Sequence, residues 1–81
     1  MIDIHNIPVK FKKHAAEALT SRFKLDMEDA EHYIKTARVI KSIEKDGCIG
    51  ILQSNIGNSK IQFVCTIREK ILYIITVEEC K

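Results

Sequence analysis

His14 and Arg22 are the two side chains in this 81-residue chain whose types and spacing could do chemistry together. They stand two steps of four apart, so on a helix they fall along nearly one line of the cylinder. A neutral imidazole can take or give a proton near neutral pH. A guanidinium on the same line can stabilise charge developing on a phosphate. Arg68, in a polar turn far along the chain, is a second candidate for that stabilising role. His14, Arg22 and Arg68 therefore form the candidate catalytic set. The same residues admit a plainer reading, in which His14 hydrogen-bonds at the edge of a core and Arg22 makes a surface ion pair.

Lys10, Lys12, Lys13 and Lys24 surround this set and are candidate phosphate contacts for RNA. Residues 1–25 carry five basic and two acidic side chains, a local +3, whereas residues 26–37 carry four acids and one base, a local −3. The total of +2 is too mild to argue for nucleic acid alone. No aromatic platform for single strands accompanies the lysines. Metal chemistry has little support: His5, His14 and His32 fall in separate elements, and Glu28 with His32 makes only a two-ligand pair. No GxSxG, Walker or HExxH pattern occurs, so no metal and no cofactor is expected. Cys48, Cys65 and Cys80 are odd in number, with no CxxC spacing, and read as reduced thiols.

The elements that would position these residues follow from periodicity. Residues 1–9 read as an irregular segment; Ile2, Ile4 and Ile7 could form a short edge strand that Pro8 ends. Phe11, Ala15, Ala18, Leu19 and Phe23 make one apolar stripe, which predicts a helix over about 11–24. Asp26 is a good N-cap for a second helix over about 27–37, which buries Met27, Ala30, Ile34 and Ala37. A short linker makes the pair a helical hairpin over 10–37. Asp46-Gly47 suits a tight turn, with strands predicted at about 38–45 and 48–54 on either side. Residues 55–58, Asn-Ile-Gly-Asn, supply the next turn.

The run from Lys60 to Glu78 is the most strand-like of all, rich in Ile, Val, Thr, Tyr and Phe. A two-residue turn at Glu69-Lys70 would pair Arg68 with Ile71. Alternation then puts Phe63, Cys65, Ile67, Leu72 and Ile74 on one face, and Val64, Ile71, Tyr73, Ile75 and Val77 on the other. A helical hairpin can cover only one of these faces. The second is the expected contact surface for another copy of the chain or a small protein partner, in which Arg68 and Tyr73 could equally hold a base or a phosphate. A chain of this length buries only roughly 60–65% of its unfolded surface, which makes association useful for stability.

The motif His14-Ala15-x-Glu17, followed by Leu19, Arg22, a break at Leu25 and an acidic second helix, resembles an uncharacterised RelE-like family related to the BrnT and RelE/ParE toxins. That family's pattern is His-Ala-x-Glu-Arg-Leu, a further Arg, a two-helix start and a β-meander ending in an apolar strand with a Thr, matched here by Ile74-Ile75-Thr76-Val77. The similarity spans about residues 11–78. His14, Arg22 and Thr76 match, but the first Arg of the pattern is Ala18 here.

The expectation is therefore a single α+β domain over 1–81, with a two-helix hairpin packed on a four-stranded antiparallel β-meander over 38–79, in the order α-α-β-β-β-β. Its expected role is protein–protein contact, with RNA as a further candidate partner. The resemblance implies that the small protein partner would be antitoxin-like, and it implies the first rival role, a toxin-type endoribonuclease of a toxin–antitoxin pair. In the latter, His14 would act as acid or base and Arg22 or Arg68 as stabiliser. A non-catalytic structural or regulatory dimer is the third reading. The start of the chain lacks the apolar core of a signal peptide, and no stretch reaches the length of a membrane span, so a cytoplasmic location and no membrane partner are expected.

Overall fold

The computed structural model describes residues 6–80. Its elements run β1 (Val9–Phe11), α1 (Lys13–Ser21), α2 (Met27–Lys35), β2 (Arg38–Lys41), β3 (Ile49–Ile56), β4 (Ser59–Arg68) and β5 (Ile71–Cys80). The class is α+β with a helical hairpin, as the periodicity predicts. The sheet differs: it has five strands, ordered β1-β5-β4-β3-β2, and it is mixed. The expected four-stranded antiparallel meander is therefore corrected to an antiparallel four with a short parallel strand added at its β5 edge.

That extra strand comes from residues assigned to the irregular segment and to the first helix. Val9 pairs with Leu72, Lys10 with Tyr73 and Phe11 with Ile74. Leu72 N–H donates to the Pro8 carbonyl and Lys12 N–H to the Ile74 carbonyl, both at 2.9 Å. The three residues alternate apolar, polar, apolar, so Val9 and Phe11 turn towards the core and Lys10 away from it. Phe11 is thus a strand residue rather than the first of the helical stripe. The proposed Ile2 and Ile4 strand lies outside the described residues.

Helix α1 buries Ala15, Ala18 and Leu19. Lys24 enters the left-handed region, φ 54°, and Leu25 N–H donates to the Leu19 carbonyl at 3.0 Å, which stops the helix. Helix α2 begins as expected: Asp26 Oδ1 accepts from Asp29 N–H at 2.8 Å, and Glu28 and Asp29 suit the positive end of the dipole. It buries Ala30 and Ile34, and the Tyr33 carbonyl accepts from Ser54 Oγ at 2.8 Å, tying the helix to β3. The helices cover the sheet face that carries Leu52, Ile61, Phe63, Cys65, Ile67, Leu72 and Ile74, which with Leu19 and Ile34 form the core.

Strand β2 is shorter than predicted. It pairs with β3 from Arg38↔Gln53 to Lys41↔Ile51, with a register shift between Val39 and Lys41, and then leaves the ladder. The cause is Ile43. It is 3% exposed and packs directly on Gly50, where an added Cβ would collide with the Ile43 side chain and lie 2.9 Å from the Lys41 carbonyl oxygen. Burying that isoleucine at the end of the core takes precedence over extending an edge strand. Asp46-Gly47 consequently sits in a longer loop. Only Gly47 has positive φ (87°) there, its N–H donates to the Ile67 carbonyl, and Asp46 Oδ2 accepts from Glu69 N–H at 3.3 Å.

The Glu69-Lys70 turn is as expected. Arg68 pairs with Ile71, and both turn residues adopt left-handed φ, 53° and 64°, the two-residue geometry that matches strand twist. At the β3–β4 turn, Gly57 alone has positive φ, 63°, and Ile56 pairs with Ser59.

Candidate interaction face

The register assigns each strand residue to the helix-covered face or to the open one. Ile49, Ile51 and Gln53 of β3 pair with Thr66, Val64 and Gln62 of β4. Those β4 residues pair in turn with Tyr73, Thr76 and Glu78 of β5. No element of the described chain packs over this open face. Ile51 and Val64 pair at its middle, with Ile49 and Ile71 towards the β4–β5 end; Ile51, Val64 and Ile71 are half-buried and Ile49 is 42% exposed. Gln62 and Gln53 side chains hydrogen-bond at 3.2 Å beside the middle pair. Thr66 is buried, because its hydroxyl donates to the Cys48 carbonyl at 2.8 Å and the 42–48 loop closes over that end.

One residue of the expected surface is misplaced by alternation. Cys65 pairs with Ile74 but Val64 pairs with Thr76, so Ile75 is an extra residue, a β-bulge. Beyond it the parity flips. Val77 pairs with Phe63 and is 2% exposed in the core, while Thr76 takes the open-face position beside Val64. The sequence held a signal for this. Unbroken alternation would put Thr76 and Glu78 beneath the helices, where a carboxylate would have no water. Of the expected surface, Val64, Ile71 and Tyr73 lie on the open face, Ile75 is the half-buried bulge, and Val77 does not belong to it.

Cations line all four margins of the open face. Lys10 follows the β1 edge, and Lys12 Nζ sits 5.1 Å from the centroid of the Tyr73 ring. Arg38 and Lys41 pair with Gln53 and Ile51 along the β2 edge. Lys60 lies towards the β3–β4 turn and Arg68 beside the β4–β5 turn. All six are exposed, and Glu78 is the acid among the open-face register positions. Six cations against one acid leave +5 on this face of a chain whose total is +2. Ile49, Ile51, Arg38, Lys41 and Lys60 escaped the sequence reading of the site; the apolar-polar spacing of Ile49, Ile51 and Gln53 was the available cue.

The candidate catalytic set is not brought together. His14 is exposed near the start of α1, and Arg22 caps its other end, about 12 Å along the axis at 1.5 Å per residue. The Arg22 guanidinium lies over the Phe23 ring, 5.4 Å from its centroid. Arg68 is on the opposite side of the sheet from the helices. The lysines divide likewise: Lys10 and Lys12 border the open face, whereas Lys13 opens α1 and Lys24 lies past its end. The depressions on the helix layer, lined by Ala16, Glu17, Thr20 and Ser21 and by Thr20, Lys24, Leu25, Asp26 and Met27, are shallow grooves open to solvent.

Cys65 is buried, its thiol donates to the Gly50 carbonyl at 3.5 Å, and burial pushes its pKa up to about 11, the opposite of an activated nucleophile. Cys48 is a half-buried free thiol. Among the described residues no group of three metal-ligating side chains comes together, and no helix is long and apolar enough to cross a membrane. Comparison with family models, curated proteins and solved structures gives no match to this chain, so the RelE-like resemblance rests on its short motif alone.

Proposed function

We propose that this protein, read as a RelE-like small α+β protein, works by protein–protein contact through the open face of its sheet. The observation that carries the reading is the aliphatic patch on that face, Ile51 and Val64 at the middle with Ile49 and Ile71 towards the β4–β5 end, with no covering element of the described chain. A sheet packed on one side is expected to alternate apolar-in and polar-out. Here the outward positions are apolar in the middle and charged at the margin, which is the anatomy of a contact surface. Five strands at about 4.8 Å and some eight residues at about 3.3 Å give a projected face of about 600 Å². That approaches the roughly 800 Å² per partner of a standard interface.

The toxin-type ribonuclease reading draws no support from the geometry. A single phosphate cannot meet groups about 12 Å apart on one helix and a third group across the sheet. The test is a central charge. Val64→Lys should abolish self-association in sedimentation, or capture of a partner from source-cell extract, while Thr20→Lys on the helix layer changes neither. A wild-type chain that stays monomeric at high micromolar concentration and captures nothing would refute the reading.

A further inference from the structure

We infer that the occupant of the open face is an acidic segment rich in aliphatic residues, belonging to another protein. The inference rests on the reading of that face as a contact surface and adds the partner's chemistry. Charge complementarity carries it. The aliphatic centre is bounded on all four sides by Lys10 and Lys12, Arg38 and Lys41, Lys60, and Arg68, with Glu78 as the opposing acid. A partner that buries the centre must bring its own margin against these cations, and carboxylates are the groups that fit.

A second copy fits poorly. Stacking two of these faces about a two-fold axis sets +5 against +5, with like charges on every margin. Strand-to-strand extension at β2 is also disfavoured. That edge is four residues long, interrupted by a register shift and ended by Arg38 and Lys41, features that deter pairing and outweigh the exposed Val39 and Ile40 between them. RNA would use the cations but not the centre. Recognition of single strands needs bases stacked on aromatic rings. The face offers Tyr73 alone, already under the Lys12 ammonium. An amphipathic helix of about 17 residues would span the roughly 26 Å length of the sheet. Its apolar stripe would lie over Ile51 and Val64, and its flanking acids would reach both edges.

The test is selection of random peptides of about 20 residues on the full chain, followed by binding of the selected synthetic peptide. The expected consensus combines Asp or Glu with Leu, Ile, Val or Met. Its affinity should fall about tenfold between about 50 and about 300 mM salt. It should fall by at least about tenfold in the exposed-edge double variant Arg38→Glu/Lys41→Glu, whose fold is checked by circular dichroism. No consensus, a neutral or basic one, or tighter binding of a mixed-sequence single-stranded RNA of similar length would overturn the inference. A neutral aliphatic consensus still lost in Val64→Lys would overturn the acidity but leave the face as a contact surface. An acidic consensus indifferent to Val64→Lys would remove the face itself.

Discussion

Truncating Val77 to alanine should cost this domain about 2–3 kcal/mol. The residue is 2% exposed and lies opposite Phe63 on the core face. Removing two buried methyl-sized groups loses about 1.6 kcal/mol of transfer energy at about 0.8 each. The space left, about 50 Å³ if the core does not collapse, adds about 1 kcal/mol at roughly 24 cal/mol per Å³. For a domain of this size each kcal/mol lowers Tm by about 4–8 °C, so a fall of about 10–20 °C is expected. Ile71→Ala, at a half-buried open-face position, should cost less, about 1–1.5 kcal/mol, although it removes more atoms. Urea unfolding followed by circular dichroism gives both values from one series. Without a bulge at Ile75 the order reverses, because Val77 would face solvent and Thr76 the core. A cheap Val77→Ala beside a costly Thr76→Ala would refute the register and, with it, the placing of Thr76 beside Val64 on the open face.

Three other outcomes follow from the same geometry. Lys70→Gly should stabilise by about 0.5–1 kcal/mol: relief of left-handed backbone strain of about 1–2 kcal/mol exceeds the extra entropy glycine gives the unfolded chain, and a lower thermal midpoint would contradict it. Gly50→Ala should destabilise by about 1–3 kcal/mol through collision with Ile43, and the double variant with Ile43→Val should recover part of the loss; a neutral Gly50→Ala would show that the 42–48 loop does not sit there. The Cys65 thiol, raised from 9.0 to about 11 by burial, stays protonated in the folded chain while the unfolded chain ionises, so its contribution is complete below pH 9 and is lost as pH rises from 9 through 11, by about 3 kcal/mol at most. Cys65→Val should flatten that part of the alkaline stability curve; identical wild-type and variant slopes above pH 9 would rule the thiol out.

What could be read from the chain alone depended on whether a residue's partners were near in sequence. The Glu69-Lys70 turn was legible because the two strand-like runs beside it fix the pairing of Arg68 with Ile71. The Asp26 cap was legible because its partner is three residues away. Strand β1 was not, because three residues carry no periodicity of their own and become a strand only through β5, some sixty residues later. The early end of β2 was missed because a good turn dipeptide was weighed without the distant demand of Ile43 for Gly50. The site divided on the same line. The apolar second face of the terminal hairpin was evident from alternation, whereas its cationic margin draws on β1, β2 and β4 and needs the strand order to be assembled.

The charge pattern and the marginal size of the domain point to the same physical consequence. Total charge is only +2, yet six cations and a single acid, Glu78, stand on the open face and its margins. A uniform surface would keep the protein soluble at lower electrostatic cost, so the segregation works against stability unless something of opposite sign meets the basic side. The aliphatic centre works in the same direction, since exposed apolar surface gains nothing in a free monomer. Binding to the folded state alone adds RT ln(1 + [L]/Kd), about 2.7 kcal/mol at a hundredfold excess over Kd. That is comparable to the cost of losing Val77 from the core. In a domain this small, a ligand bound on the open face would therefore add stability of the same order as one buried core side chain.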